Sequence, residues 1–343
     1  MPERTRLLND FLTHAGWGHA DRTLLAGDAS NRRYDRLHDR LTGKTAVVMD
    51  APPDRGEDVR PFIRITHYLE SLGLSPPAIR AADPRHGFLL LEDLGNDLFA
   101  RAIRVEPRLE CPLYESATDI LVALHQHEPP PDLAAYDPSA MAEQAMLPFD
   151  WYCRGTTGIA APSCQRAAFQ AEMEALLRAI WPKRPVVVLR DFHAENLLWL
   201  PMRKGIKRVG LLDYQDALLG HPAYDLVSLL QDARRDVPGD LREAMLRRYI
   251  AATNRDDARF RADCAVIGAQ RNLRILGVFA RLSLHFGKPH YVDMIPRVWA
   301  HLMTDLAHPD LSTIRAQILA LLPAPDHANL KRMKDQCGTL PTR

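Results

Sequence analysis

Asp191, Asn196 and Asp213 are the residues of this 343-residue chain whose types and spacing could do chemistry. They lie in LRDFHAENLLWLPMRKGIKRVGLLDYQD, residues 189–216, with Asn196 five positions after Asp191 and Asp213 closing a later apolar run. One carboxylate can orient a hydroxyl and take its proton, while an amide oxygen and a second carboxylate suit Mg²⁺ held against nucleotide phosphates. An Asp and an Asn at this spacing also occur in loops that cap their own backbone, so the pair alone decides little. The flanks raise the pattern above that reading. Val186-Val187-Val188-Leu189 precedes Asp191, Leu197-Leu198-Trp199-Leu200 follows Asn196, and Val209, Leu211 and Leu212 lead into Asp213. Short apolar runs bounded by polar turns read as buried strands. The three polar residues therefore stand at strand ends and in a tight loop, where functional side chains concentrate.

The elements that must position them fall into two halves. Residues 1–20 read as an outer helix; 22–26, 33–38 and 45–50 read as short strands, with 28–31 as a turn. Residues 60–72 carry Phe62, Ile65, Leu69 and Leu72 at helical spacing, closed by Gly73. Residues 79–82 and 87–91 read as a strand pair. After Glu92-Asp93-Leu94-Gly95 the chain is expected to be mostly helical apart from the strands of the central motif. The boundary is placed at 93–97, giving an N-terminal lobe of 1–94, a C-terminal lobe of 95–325 and a polar, Pro-bearing tail of 326–343 expected to pack loosely. No internal repeat is visible.

Composition narrows the class without naming an activity. Lys and Arg number 44 against 43 Asp and Glu, so no global field favours nucleic acid or an anionic membrane. The five cysteines are scattered without a C-x-x-C pair, which fits reduced thiols better than disulfides or a zinc site. MPERTRLLNDFL is no secretory signal, and no run of about 20 apolar residues offers a membrane span. A cytoplasmic monomer with no nucleic-acid or membrane partner is expected.

D-x-x-x-x-N followed by an apolar strand and D-x-Q-D resembles the aminoglycoside phosphotransferase-type kinases, relatives of the protein kinases. His221-Pro222-Ala223-Tyr224-Asp225-Leu226 matches the segment that follows their metal Asp. The resemblance covers roughly residues 5 to 325. Three segments resemble more narrowly the bacterial kinases that phosphorylate N-acetylmuramate and N-acetylglucosamine at the anomeric hydroxyl during peptidoglycan recycling. These are Gly27-Asp28-Ala29-Ser30 with Arg33-Tyr34, Met49-Asp50-Ala51-Pro52-Pro53, and Ile295-Pro296-Arg297-Val298. The resemblance implies an α+β, bilobal protein-kinase-like fold with a small antiparallel N-terminal lobe and a larger, mainly helical C-terminal lobe. It also implies an ATP- and Mg²⁺-dependent sugar kinase with an amino-sugar acceptor.

In that register Asp191 is the base, Asn196 and Asp213 bind Mg²⁺, and Asp225 holds backbone amides of the catalytic loop. Adenine would pair with the carbonyl of Glu92 and the amide of Leu94; Ser30 and Asn31 would let backbone amides approach phosphates. Two departures stand out. Leu189 and Arg190 replace the family's usual His and Gly before the catalytic Asp. The usual strand lysine is missing, since Ala46-Val47-Val48-Met49-Asp50 sets Met49 in its place and Lys44 lies at an odd offset, on the other face. A cation could come from Arg32 or Arg33, only one of which can point inward; Arg33 is the expected one.

For the acceptor, His193, Glu195 and Asp216 are candidates, each with loop capping as the alternative. Residues 265–284 read as a helix with Val266, Ala269, Leu273, Leu276 and Ala280 on one face and Arg271, Arg274 and Arg281 on another. Arg271 suits a lactyl carboxylate. Phe149-Asp150-Trp151-Tyr152 is read as a core anchor, although its rings could stack on a sugar. His125 and His127 are read as a polar helix end, as are Arg234 and Arg235. The alternatives are a kinase of another hydroxylated molecule, such as an aminoglycoside or amino alcohol, and a nucleotide-binding pseudokinase.

Overall fold

Apolar residues on both faces of the central strands build the sheet that carries the expected nucleotide side. In the computed structural model, which describes residues 3–27 and 31–341, five antiparallel strands run in the order β1-β2-β3-β5-β4. They are β1 (Asp21–Gly27), β2 (Arg33–His38), β3 (Thr45–Asp50), β4 (Ile79–Asp83) and β5 (Phe88–Glu92). Leu37, Ala46, Val48, Phe88 and Leu90 share one face and pack against Leu8 and Leu12 of α1 (Glu3–His14). Val47, Met49, Leu89 and Leu91 point the other way and are buried too, so β3 and β5 read as continuous apolar runs.

α2 (Arg60–Ser71) starts with Pro61 in its first turn and ends at Gly73, whose φ of 74° suits a residue without Cβ. Its buried stripe is Phe62, Ile65, Thr66 and Leu69. Tyr214 covers this stripe, its ring 5.0 Å from that of Phe62 and its hydroxyl 2.6 Å from Thr66 Oγ1. A helix in the N-terminal half thus supports the segment just after Asp213.

The apolar runs of the central motif form two ladders. β6 (Val186–Val188) pairs with β9 (Leu218–Gly220), and β7 (Leu197–Trp199) pairs with β8 (Val209–Leu211). By compactness the chain forms two units, Met1–Ile120 with Ala194–Ala217 and Leu121–His193 with Leu218–Arg343. The β7–β8 hairpin belongs to the first and the β6–β9 ladder to the second.

The second unit is organised around the Asp257–Leu284 helix. It starts eight residues before the expected 265 because Asp256 caps it, accepting the Arg259 amide at 2.8 Å. Gly277 lets the backbone of Leu147 and Pro148 approach where a Cβ would lie 2.5 Å from the Leu147 carbonyl carbon. Phe149 and Tyr152 are fully buried, so this aromatic cluster is a core anchor. His125 donates to or accepts from Tyr249 Oη through Nδ1 at 2.7 Å.

The tail is more ordered than its polarity suggests. His327–Asp335 is helical, Met333 is fully buried, and Leu340 donates its amide to the Leu284 carbonyl at 3.0 Å. Its few apolar residues are spaced to dock, which outweighs their polar neighbours. Among the described residues no helix is long and apolar enough to cross a membrane.

Candidate functional site

The expected site residues divide between the two units: Asn31, Arg33, Glu92, Leu94, Glu195, Asn196, Asp213 and Asp216 fall in the first, and Asp191, His193 and Arg271 in the second. Ser30 lies outside the described residues, as do Asp28 and Ala29.

In the first unit the β7–β8 hairpin brings Asn196 and Asp213 together. Asn196 precedes β7, Asp213 follows β8, and the Leu212 amide donates to the Asn196 carbonyl at 2.9 Å. Across this closure Asn196 Nδ2 stands 3.5 Å from Asp213 Oδ2. Asp213 is left-handed, with φ at 55°, a region that aspartate and asparagine enter more readily than other L-residues. Gln215, which sequence reasoning passed over inside D-x-Q-D, donates to Asp213 Oδ1 at 2.7 Å and to Asp216 Oδ2 at 3.2 Å. The donor set fits Mg²⁺, which takes one or two protein oxygens and completes its octahedron with phosphates and water. Rotating the Asn196 amide by half a turn presents Oδ1 beside Asp213 Oδ2 for a shared cation. Glu195 sits half-buried in the turn before Asn196.

Around β2 the geometry separates two neighbouring arginines. Arg33 pairs in register with Asp50 and bonds Asp35 Oδ1 through Nε at 3.0 Å; it lies on the α1 face, largely exposed. Arg32 turns the other way and meets Glu57 Oε2 at 2.7 Å, with both side chains mostly buried. Burial works against the Arg32 charge, but Glu57, Tyr34 and Asp216 outweigh it and raise its pKa. Thus Arg32 is the more buried cation of the two, paired with Glu57 and feeling the charge of Asp216, whereas Arg33 is exposed on the other face. Asn31 joins the same lock, its amide donating to Glu57 Oε1 at 3.1 Å and its Nδ2 to the Arg55 carbonyl at 3.1 Å.

Glu92 ends β5, and its carboxylate accepts from Arg203 at 2.6 Å. Leu94 packs over Gly210 of β8, where a Cβ would lie 3.0 Å from Leu94 Cδ1. Arg36, which sequence reasoning missed, fixes the chain on either side of Leu94. Its guanidinium donates to Asp93 Oδ1 at 2.9 Å, to the Gly95 carbonyl at 3.0 Å and to Asn96 Oδ1 at 2.7 Å.

In the second unit Asp225 organises the loop that carries Asp191. Its fully buried carboxylate accepts the amides of Leu189 at 2.6 Å and Arg190 at 2.9 Å, the role expected from the sequence. Burial raises its pKa to about 7, although the two amides pull the other way. Arg190 has φ at 72°, a conformation that costs an L-residue about 1–2 kcal/mol. Its guanidinium lies 5.4 Å from the Tyr136 ring centroid. Arg271 is 4% exposed and donates to Ser228 Oγ at 2.8 Å and the Gln231 carbonyl at 3.3 Å. Ser228 Oγ in turn lies 3.5 Å from the Arg190 carbonyl. Both Arg271 and Arg274, one turn on, feel the negative charge of Asp191. His193 is buried and faces Arg234 at 3.2 Å; burial, then Arg234 and Arg271, hold its pKa far below the usual histidine range, so it is neutral. Arg234 is therefore more than a solvated helix end.

The chain is similar to known proteins in sequence and in fold. The model of the phosphotransferase enzyme family matches residues 21–262. The chain belongs to that family. An N-acetylmuramate/N-acetylglucosamine kinase from Caulobacter vibrioides is 39% identical, over 92% of this chain and 95% of its own. One from Pseudomonas aeruginosa is 33% identical, over 92% and 94%. A family structure, an aminoglycoside phosphotransferase in ternary complex with streptomycin and ATP, covers 88% of this chain and 96% of its own with a TM-score of 0.56 at 13% identity. That likeness establishes the α+β fold of the family, with its antiparallel sheet of five strands.

Proposed function

We propose that this protein is an ATP-dependent kinase that transfers the γ-phosphoryl group to the anomeric hydroxyl of N-acetylmuramate or N-acetylglucosamine. The observation that carries it is the 39% identity to the Caulobacter vibrioides kinase across nearly the full length of both chains. In this reading the protein serves peptidoglycan recycling as a cytoplasmic monomer.

Asp191 orients the acceptor hydroxyl and takes its proton as the O–P bond forms. An anomeric hydroxyl is more acidic than an ordinary alcohol, so the demand on that base is modest. Asn196 and Asp213 would hold Mg²⁺ through their side-chain oxygens, and the ion would supply charge neutralisation at the phosphates. Gln215 supports this by fixing Asp213 Oδ1. Arg32, braced by Glu57, supplies the phosphate-side cation that the missing strand lysine would have given. The Asn31 amide is taken by Glu57, so Asn31 is assigned to bracing the Arg32–Glu57 pair, and the Glu92 carbonyl with the Leu94 amide receives adenine. His193, Glu195 and Asp216 are assigned to sugar hydroxyls and the N-acetyl group.

The test is ³¹P NMR of the protein with ATP and Mg²⁺ against N-acetylmuramate, N-acetylglucosamine and one aminoglycoside. A new phosphate doublet coupled to the anomeric proton is expected with the amino sugars. Phosphate on the aminoglycoside alone would overturn the acceptor and keep the family chemistry.

A further inference from the structure

The loop beside Asp191 carries an arginine where its backbone favours glycine, and two more arginines stand behind it. Arg190 holds φ at 72°, which only glycine adopts without strain, so retaining a long side chain there points to a use for that side chain. Its Nε is buried without a hydrogen-bond partner, as is Arg271 Nε. Tyr136 and Tyr224 meet edge to face at 5.6 Å and line the same cluster, with Arg190 over Tyr136. Arg274 follows Arg271 by one turn of the Asp257–Leu284 helix, where Tyr224, Tyr136 and Asp191 raise its pKa against the effect of burial.

The acids facing this cluster leave it positive. Asp225 commits its carboxylate to two backbone amides, and burial weakens its charge near neutral pH. Asp232 accepts the Arg234 amide at 2.8 Å and reaches Arg271 only through its field. Asp305 also faces Arg271, but its carboxylate accepts from Gln231 and Asn272 and burial raises its pKa to about 7; Asp191 acts on both Arg271 and Arg274. Three guanidiniums, two of them with a buried and unused donor, suit a planar anion that accepts more than one N–H.

We propose that Arg190 and Arg274, backed by Arg271, form a subsite beside Asp191 that reads a carboxylate on the acceptor. This rests on the acceptor reading above, whose two sugars differ by one group: N-acetylmuramate is N-acetylglucosamine bearing a lactyl ether. The subsite therefore sets preference between them, and Arg190 and Arg274 are specificity-determining residues.

The experiment compares kcat/KM for the two sugars in wild type, Arg190→Gly and Arg274→Gln. Arg190→Gly relieves the backbone, so folding is preserved, and a urea midpoint checks this. The ratio of N-acetylmuramate to N-acetylglucosamine efficiency should fall about tenfold or more in each variant, the usual loss for a charge-assisted bond. With the methyl ester of N-acetylmuramate, which keeps the size and removes the charge, wild type should lose the same preference. A ratio unmoved in both variants overturns the subsite and leaves the kinase reading intact. A wild-type protein that phosphorylates neither sugar overturns the acceptor reading and the subsite with it.

Discussion

The Asp225 carboxylate accepts the backbone amide of Arg190 at 2.9 Å and so stabilises a left-handed residue immediately before Asp191. The second oxygen of the same carboxylate holds Leu189 at 2.6 Å. A buried acid thereby over-determines the backbone at the one point where the loop is strained. Asp225→Ala leaves two buried amides without acceptors and should cost about 2–4 kcal/mol of stability. Chemical unfolding measures the loss, and kcat should fall with it because Asp191 loses its frame. An unchanged midpoint would contradict the assignment.

The two arginines at the start of β2 should behave differently. Arg32→Ala removes the cation braced by Glu57 and should raise the KM for ATP about tenfold, as expected for one charge-assisted contact. Arg33→Ala, which removes an exposed pair with Asp35, should leave both constants within about twofold. Steady-state kinetics with varied ATP decides; the reverse ranking would return the role to Arg33.

Asp213→Asn separates chemistry from folding. Asparagine tolerates positive φ, so the variant should keep its stability at the position held at 55°. Loss of the anionic ligand should lower kcat about 10²–10³-fold and shift the Mg²⁺ dependence to higher concentration. Activity that survives at ordinary Mg²⁺ would exclude Asp213 as a metal ligand.

Acid stability should depend on His125. Burial, reinforced by Arg255, lowers its pKa from 6.5 to about 3. A folded pKa below the unfolded one means the stability is complete above pH 6.5 and is lost as pH falls toward 3. At pH 5 the deficit is about 2 kcal/mol. His125→Gln can still meet the Tyr249 hydroxyl, so its urea midpoint should fall less than wild type between pH 7 and 5. Parallel pH profiles for the two proteins would refute this.

Much of this protein is written in local pattern. The ends of β2 and β3, the α2 stripe of Phe62, Ile65 and Leu69, and the polar residues Asp191, Asn196 and Asp213 all follow from period, turn residues and spacing. Those features depend on neighbours within a few positions, which a sequence displays directly. Even the role of Asp225 was legible, because its segment matches a known one.

What only tertiary structure decided were choices between equivalent residues and pairings at long range. Nothing in Arg32-Arg33 says which guanidinium turns inward, because strand alternation fixes their opposition and not its phase; Glu57, twenty-five positions on from Arg32, decides it. The clamp of Arg36 on Asp93 and Asn96 and the docking of the tail through Met333 likewise join distant residues. The positive φ of Arg190 is the clearest case, for a sequence shows an arginine in place of glycine, and only the fold shows the strain that makes its side chain worth testing.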